Sequence, residues 1–279
     1  MSIVVNTNIG SLNAQRSLAE SSRELSTAME RLSSGKKINS ASDDAAGFAI
    51  AERMTAQVRG LNMATKNAND GLAMLATIEN ATNDVTDMLQ RVRELAVQAA
   101  NDTNSGTDRE YLQLEVDSLL AEINRVSSQT VYNNQNVLDG SRSGTLQVGT
   151  DNGQTIAFNI ESIDTGALGL TNFEVNDSNG NAPGTTGYTS TTSSLSVLDA
   201  GAAAEALDKI SIAIEQVAED RAGYGALANR LEYTVSNLMN VAEFTTAARS
   251  RIEDADFAAE SARLAKAQVL QQTGTAMLA

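Results

Sequence analysis

The 279 residues include no cysteine, no histidine and no tryptophan. These absences remove thiol nucleophiles, structural zinc held by Cys or His, histidine general bases and every Ser-His-Asp or Cys-His arrangement. Few catalytic constellations are left, so the chain reads as a non-enzyme with no expected cofactor or metal. A single proline, Pro183, leaves nearly all of the backbone free to run in long helices. Aromatic residues make up only 4%, so a core must be aliphatic and rich in alanine. No apolar run approaches the roughly 18 residues of a membrane span. The opening stretch, MSIVVNTNIGSLNAQRS, places no basic region before an apolar one, so it does not read as a Sec-type signal peptide.

What is present is acidic. The formal charge is −15, which argues against a nucleic-acid partner because a polyanion is repelled rather than held by counterion release. The charge is also uneven. Seven basic side chains face six acidic ones up to position 60, six face eighteen from 61 to 200, and seven face eleven beyond. That distribution fits buried ends and a solvated middle.

Apolar positions recur with helical spacing in four runs. Leu18, Leu25 and Leu32 are spaced by seven with Met29 between them, a narrow seam suited to a helix partner. A longer run carries Leu61, Ala68, Leu75, Leu89 and Ala96 on one row and Ala64, Ile78, Val85, Val92 and Ala99 on the other, lapsing at Gly71 and Thr82. Its roughly forty residues predict a rod of about 60 Å. After the turn-rich NDTNSGTD, with Thr107 or Asp108 available as N-cap, Leu112, Val116, Leu119, Ile123 and Val126 predict a helix folding back antiparallel. The fourth run sets Ile210, Val217, Tyr224, Leu231, Leu238 and Ile252 on one row and Leu207, Ile214, Val235 and Ala242 on the other, with Arg221 and Ala228 as interruptions. Seams of matching period, far apart in sequence, bury themselves against each other. The expected fold class is therefore mainly α, a long antiparallel bundle or coiled coil formed by both chain ends.

Between these runs, Leu146 and Val148 alternate before a turn at Asp151, Asn152 and Gly153, and Ile156, Phe158 and Ile160 alternate after it, predicting a small β-hairpin. NDSNGNAPGTTGYTSTTSS, which follows, has little to bury and reads as surface loop, open to insertion or O-linked modification. The last stretch carries Phe257 and Leu264 a heptad apart among alanines, too little apolar area to hold a helix on a lone copy.

Three motifs bear on function. Asp43 and Asp44 are adjacent and point in different directions on a helix, so they read as first-turn anions with Ser42 as cap rather than as an acid pair. Lys36 and Lys37 read as a turn or polar contact. NANDG, 67 to 71, has no strand before it and is no phosphate loop. In QRVRELAVQAAN, Val92, Ala96 and Ala99 belong to the seam, leaving Arg91, Leu95 and Gln98 on a neighbouring face; Leu95 is expected to be partly exposed, either as an ordinary surface leucine or as part of a protein-binding patch.

Taken together, VVNTNIGSLNAQRSL, ERLSSGKKINSASDDAAGFAIAERM, VRGLNMATKNANDG, QRVRELAVQAAN and SRIEDADFAAESARLAKAQVLQQTGTAMLA resemble the bacterial flagellins, over roughly residues 1 to 140 and 197 to 279. The resemblance implies a structural subunit that leaves the cell unfolded through the flagellar type III apparatus, without a Sec signal, and polymerises outside as the hollow filament used for motility. The hook-filament junction proteins are the alternative, sharing the terminal helices. Implied domains are 1–44 with 255–279 as an inner coiled coil with spoke, 45–140 with 197–254 as a helical rod, and 141–196 as hairpin and variable surface loop. The inner seam would comprise Leu18, Leu25, Met29, Leu32, Phe257 and Leu264. The spoke would comprise Ser33, Gly35, Asn39, Asp43 and Asp44, a bend that lets neighbouring subunits slide. Gln90, Arg91, Glu94, Leu95, Gln98 and Glu115 resemble the face read by the flagellin-sensing Toll-like receptor, or a subunit contact. Other implied partners are further copies of the chain, an export chaperone and a cap protein, with no nucleic acid and no membrane. Flagellins usually extend past the AMLA segment into a Leu-rich tail that the chaperone grips.

Overall fold

A computed structural model describes residues 9–170 and 195–278. In chain order the elements are α1 (Ile9–Ser34), α2 (Ala45–Ala99), α3 (Gly106–Gln129), β1 (Val131–Tyr132), β2 (Gln135–Asn136), β3 (Ser143–Gln147), β4 (Thr155–Asn159), α4 (Ala200–Glu253) and α5 (Phe257–Leu278). The mainly α class with a small hairpin is borne out. The chain divides into two compact units, one taking the residues up to Asn62 together with those from Met239 onward, the other Met63–Leu238. The divisions fall inside α2 and α4.

In Met63–Leu238 the core follows the heptad rows. Ile78, Val85, Leu89, Val92 and Ala96 of α2, Val116 and Ile123 of α3, and Ile210, Val217, Tyr224 and Leu231 of α4 are all buried together. Both lapses in the α2 pattern have structural reasons. Thr82 is buried because its hydroxyl donates to the carbonyls of Ile78 and Glu79, so it enters the core already satisfied. Gly71 is buried because β3 lies on it; a Cβ there would come within 2.5 Å of the Leu146 side chain. The interruption at Arg221 is an ion pair to Glu79 of α2, at 2.7 Å.

The predicted hairpin forms with Leu146 opposite Ile156 and Ser143 opposite Asn159. Ile156 and Ile160 enter the core, Leu146 and Phe158 pack against it, and α2 braces the outer edge of β3 where Asn67 donates to the carbonyl of Gln147 at 3.1 Å. NANDG is therefore the seat of the hairpin. A second hairpin, β1–β2, turns through Asn133 and Asn134, both in the left-handed region at φ 50° and 59°.

Segment 141–196 is not wholly surface. Ile160, Ile163, Leu168, Leu170 and Leu195 are fully or almost fully buried in the same core, as is the adjoining Val197. Three polar side chains of α3 anchor these loops: Gln113 donates to the carbonyl of Leu195 and accepts from the amide of Val197, Asn124 accepts from the amide and hydroxyl of Thr165, and Ser127 donates to the carbonyl of Leu138. The polar stretch from 176 to 194 lies outside the described residues.

The other unit contains α1 and α5, which pack along each other. Arg31 bonds Glu260 at 3.3 Å near one end of the pair, and Leu18 lies against Gly274 near the other, so the helices run antiparallel. No helix of the described residues is long and apolar enough to cross a membrane.

Candidate functional site

Three regions carry the predicted site residues: the α1–α5 seam, the bend between α1 and α2, and the α2–α3 face around Arg91.

The seam is built on small residues. Ala28 and Ala267 are buried, while Leu18, Leu25, Leu32 and Leu264 are half-buried around them. Two predicted members are absent from it: Met29 is 55% exposed and Phe257 63% exposed. Stepping from Leu25 by three, then four, puts Ala28 between the leucines, and the small side chain lets the helices approach closely; Met29, one position on, turns away. Phe257 opens α5 and faces out of its first turn. Glu260, buried, gathers Arg31 at 3.3 Å and Arg263 at 2.8 Å. The apolar surface covered is small, since Ala28 is the one buried residue of α1.

The bend is held by hydrogen bonds rather than by packing. Ser33 and Ser34 close α1, and Gly35 adopts φ +70°, a left-handed conformation that a Cβ would strain. The chain then pairs with the connection into α5. The amide of Lys37 donates to the carbonyl of Glu253 at 2.6 Å, the amide of Ala255 donates to the carbonyl of Gly35 at 2.9 Å, and the Lys36 ammonium meets the Glu253 carboxylate at 2.5 Å. Asp43 accepts from the amides of Ser40 and Asn39. Those donors, Ser40 first, hold its carboxyl below the usual aspartate range. The cap of α2 is Asp44, not Ser42: its carboxylate accepts from the amides of Ala46 and Gly47, whereas the Ser42 hydroxyl bonds that of Ser40.

On the α2–α3 face, Gln90, Arg91, Glu94, Gln98 and Glu115 are exposed together. The Arg91 guanidinium bonds Glu94 one turn along α2 and reaches Glu115 on α3, each at 2.9 Å. Those two carboxylates, Glu94 foremost, raise its pKa further. Val97, Tyr111 and Leu114 add exposed apolar surface nearby in α2 and α3. Leu95 is different: at 1% exposure it is a core residue. The physical reason is the width of the seam, because α2 is covered by both α3 and α4 and the heptad stripe widens to take in Leu95 beside Val92 and Ala96. α3 enters this face through Ser105, not Thr107 or Asp108, as N-cap, with Asp108 completing a reciprocal capping box.

Sequence reasoning missed the hairpin at VYNNQN, the polar anchors Gln113, Asn124 and Ser127, and the pairing of 35–37 with 253–255. Only the first left a local signal, an Asn-Asn pair flanked by Val131 and Tyr132.

Comparison with known proteins agrees with this architecture. The model of the bacterial flagellin N-terminal helical region matches residues 5–143, and that of the bacterial flagellin C-terminal helical region matches residues 207–279. The flagellin of Halalkalibacterium halodurans is 38% identical over 278 residues, covering 99% of this chain and 95% of the relative. The flagellar filament 33 kDa core protein of Treponema phagedenis is 38% identical over 288 residues, with the same coverages. The crystal structure of Bacillus cereus flagellin superposes with a TM-score of 0.50 at 26% identity, covering 62% of this chain and 88% of that one. The matched regions are the helical ends that here fold together, and the chain belongs to the bacterial flagellin family.

Proposed function

We propose that this protein is the structural subunit of the bacterial flagellar filament, assembling with copies of itself outside the cell. The observation that carries the reading is the α1–α5 pair: two helices of more than twenty residues, matched by the family models, that cover little apolar surface within one chain. Lateral stacking of further copies supplies what one chain lacks. The proposal extends to type III export without a Sec signal, with a chaperone and a cap protein as partners, a reading that the family membership supports. The test is seeded polymerisation followed by negative-stain microscopy. Micrometre-long tubes are expected; a chain that stays as monomers or short adaptors overturns the reading in favour of a junction protein.

The exposed set Gln90, Arg91, Glu94, Gln98 and Glu115 supports a finer proposal, recognition of the monomer by the flagellin-sensing Toll-like receptor. Arg91 is presented by its own carboxylates in a fixed pose, which lowers the entropy lost on contact. Leu95 contributes from beneath, as packing. Arg91→Ala is expected to shift the receptor dose response at least tenfold with thermal stability retained; an unshifted curve removes the assignment.

A further inference from the structure

Between the two hairpins and α2 lies a cleft of about 340 Å³ that neither the filament reading nor the receptor reading uses. Small-molecule sites span roughly 300–1,000 Å³, so the space is sufficient for one compact ligand. Its walls are largely apolar: Met74 of α2 is buried, with Tyr132 of β1, Leu146 of β3 and Phe158 of β4 half-buried around it. Both hairpins are tied to α2. The Tyr132 hydroxyl donates to the carbonyl of Asp70 at 3.2 Å, and Leu146 rests on Gly71. The cleft is therefore formed before any ligand arrives.

One cation belongs to this lining. Arg142, the residue before β3, is fixed at the hairpin root, where its carbonyl accepts from the amide of Ile160 at 2.9 Å. Its side chain is half-buried, and its Nε is fully buried without a hydrogen-bond partner. Asp139 feels the Arg142 charge but is bonded to Ser141, accepting from the amide at 2.9 Å and from the hydroxyl at 2.6 Å. A guanidinium is a planar fork of donors, and a buried donor left unmet costs free energy that an incoming acceptor recovers. The other charged residue of the lining, Asp70, is exposed and of opposite sign. The cleft thus has room for one negative charge, and a second is repelled in a chain of net charge −15.

We infer that this cleft binds a small monocarboxylate with an apolar, ring-like body, its carboxylate on the Arg142 guanidinium and its body against Met74, Tyr132 and Phe158. The carboxylate matches the guanidinium fork, and the body removes apolar wall from water. Phosphate is a poorer match on two counts, its higher charge and its lack of apolar surface.

Nuclear magnetic resonance of the isotope-labelled full-length monomer tests this, with titrations of phenylacetate, its neutral counterpart phenylacetamide and inorganic phosphate. Phenylacetate is expected to shift the Arg142 Nε–H signal and the amides of 143–146 to saturation. Phenylacetamide is expected to bind about tenfold more weakly or worse, and phosphate to give no saturable shift. Arg142→Gln is expected to weaken phenylacetate about tenfold or more, and Arg142→Lys, which keeps the charge without the fork, by less. No saturable shift with phenylacetate, equal affinity for the acid and its amide, phosphate binding as tight as phenylacetate, or undiminished binding to Arg142→Gln each overturns the proposal. Should Arg142→Gln fail to fold, the comparison of acid with amide on the wild type decides. An Arg142 signal that moves with protein concentration alone would assign the cleft to an acidic side chain of another copy, and overturns the small-molecule site.

Discussion

Single side chains decide which parts of the α2–α3 face are surface and which are support. Arg91 and Leu95 sit one helical turn apart, yet one is held in solvent by Glu94 and Glu115 and the other is closed into the core. Their substitutions should therefore separate. Leu95→Ala removes buried methyl groups where three helices meet, and is expected to cost about 2–5 kcal/mol, read as a lower urea midpoint with unchanged slope. Arg91→Ala breaks exposed, solvent-screened ion pairs and is expected to leave the urea midpoint close to that of wild type. A Leu95→Ala protein with wild-type stability would return that side chain to the surface. Periodicity alone misplaced Leu95 because it lies beside the two heptad rows. How far a stripe widens depends on how many neighbours cover the helix, and that is a tertiary fact.

At the scale of elements, the long helices and the β3–β4 hairpin were legible because their apolar spacing is repeated many times over: every predicted member of the α2 rows is buried, as are Ile210, Val217, Tyr224, Leu231 and Leu238 of α4. The lapses were legible as lapses but not as contacts. Gly71 reads as a weak point in a helix and is in fact the floor on which Leu146 rests. Gly71→Val is accordingly expected to overpack the hairpin seat and to cost about 1–3 kcal/mol, with faster amide exchange confined to β3 and β4 if the helices hold. Equal exchange in both strands and an unshifted midpoint would show that the hairpin does not depend on this seat. Caps were misread for a related reason. Ser42, Thr107 and Asp108 all have suitable chemistry, but Asp44 and Ser105 take the positions because the first free amides of α2 and α3 face them. The polar anchors of α3 left no trace in the sequence, since a Gln or Asn that reads backbone groups some forty or eighty residues away resembles any surface amide.

For the molecule as a whole, the strongest sequence-level expectation concerned its two ends. The structure adds a quantity to it: Ala28 is the buried residue of α1, and Glu260 and Ala267 are the buried side chains described in α5. Pairs so sparsely covered open at low free energy. In dilute monomer the amides of α1 and α5 are expected to exchange far faster than those of α2 between Leu75 and Ala99, and to become protected on polymerisation. Firm protection of both helices in monomer would remove the physical basis of the assembly reading. The pairing of 35–37 with 253–255 bears on how such a subunit handles force. One strand leaving α1 and a second entering α5 are cross-linked by their backbones just where a lone strand would swivel. A twist of the coiled pair thus meets two backbone connections tied to each other rather than two separate swivels.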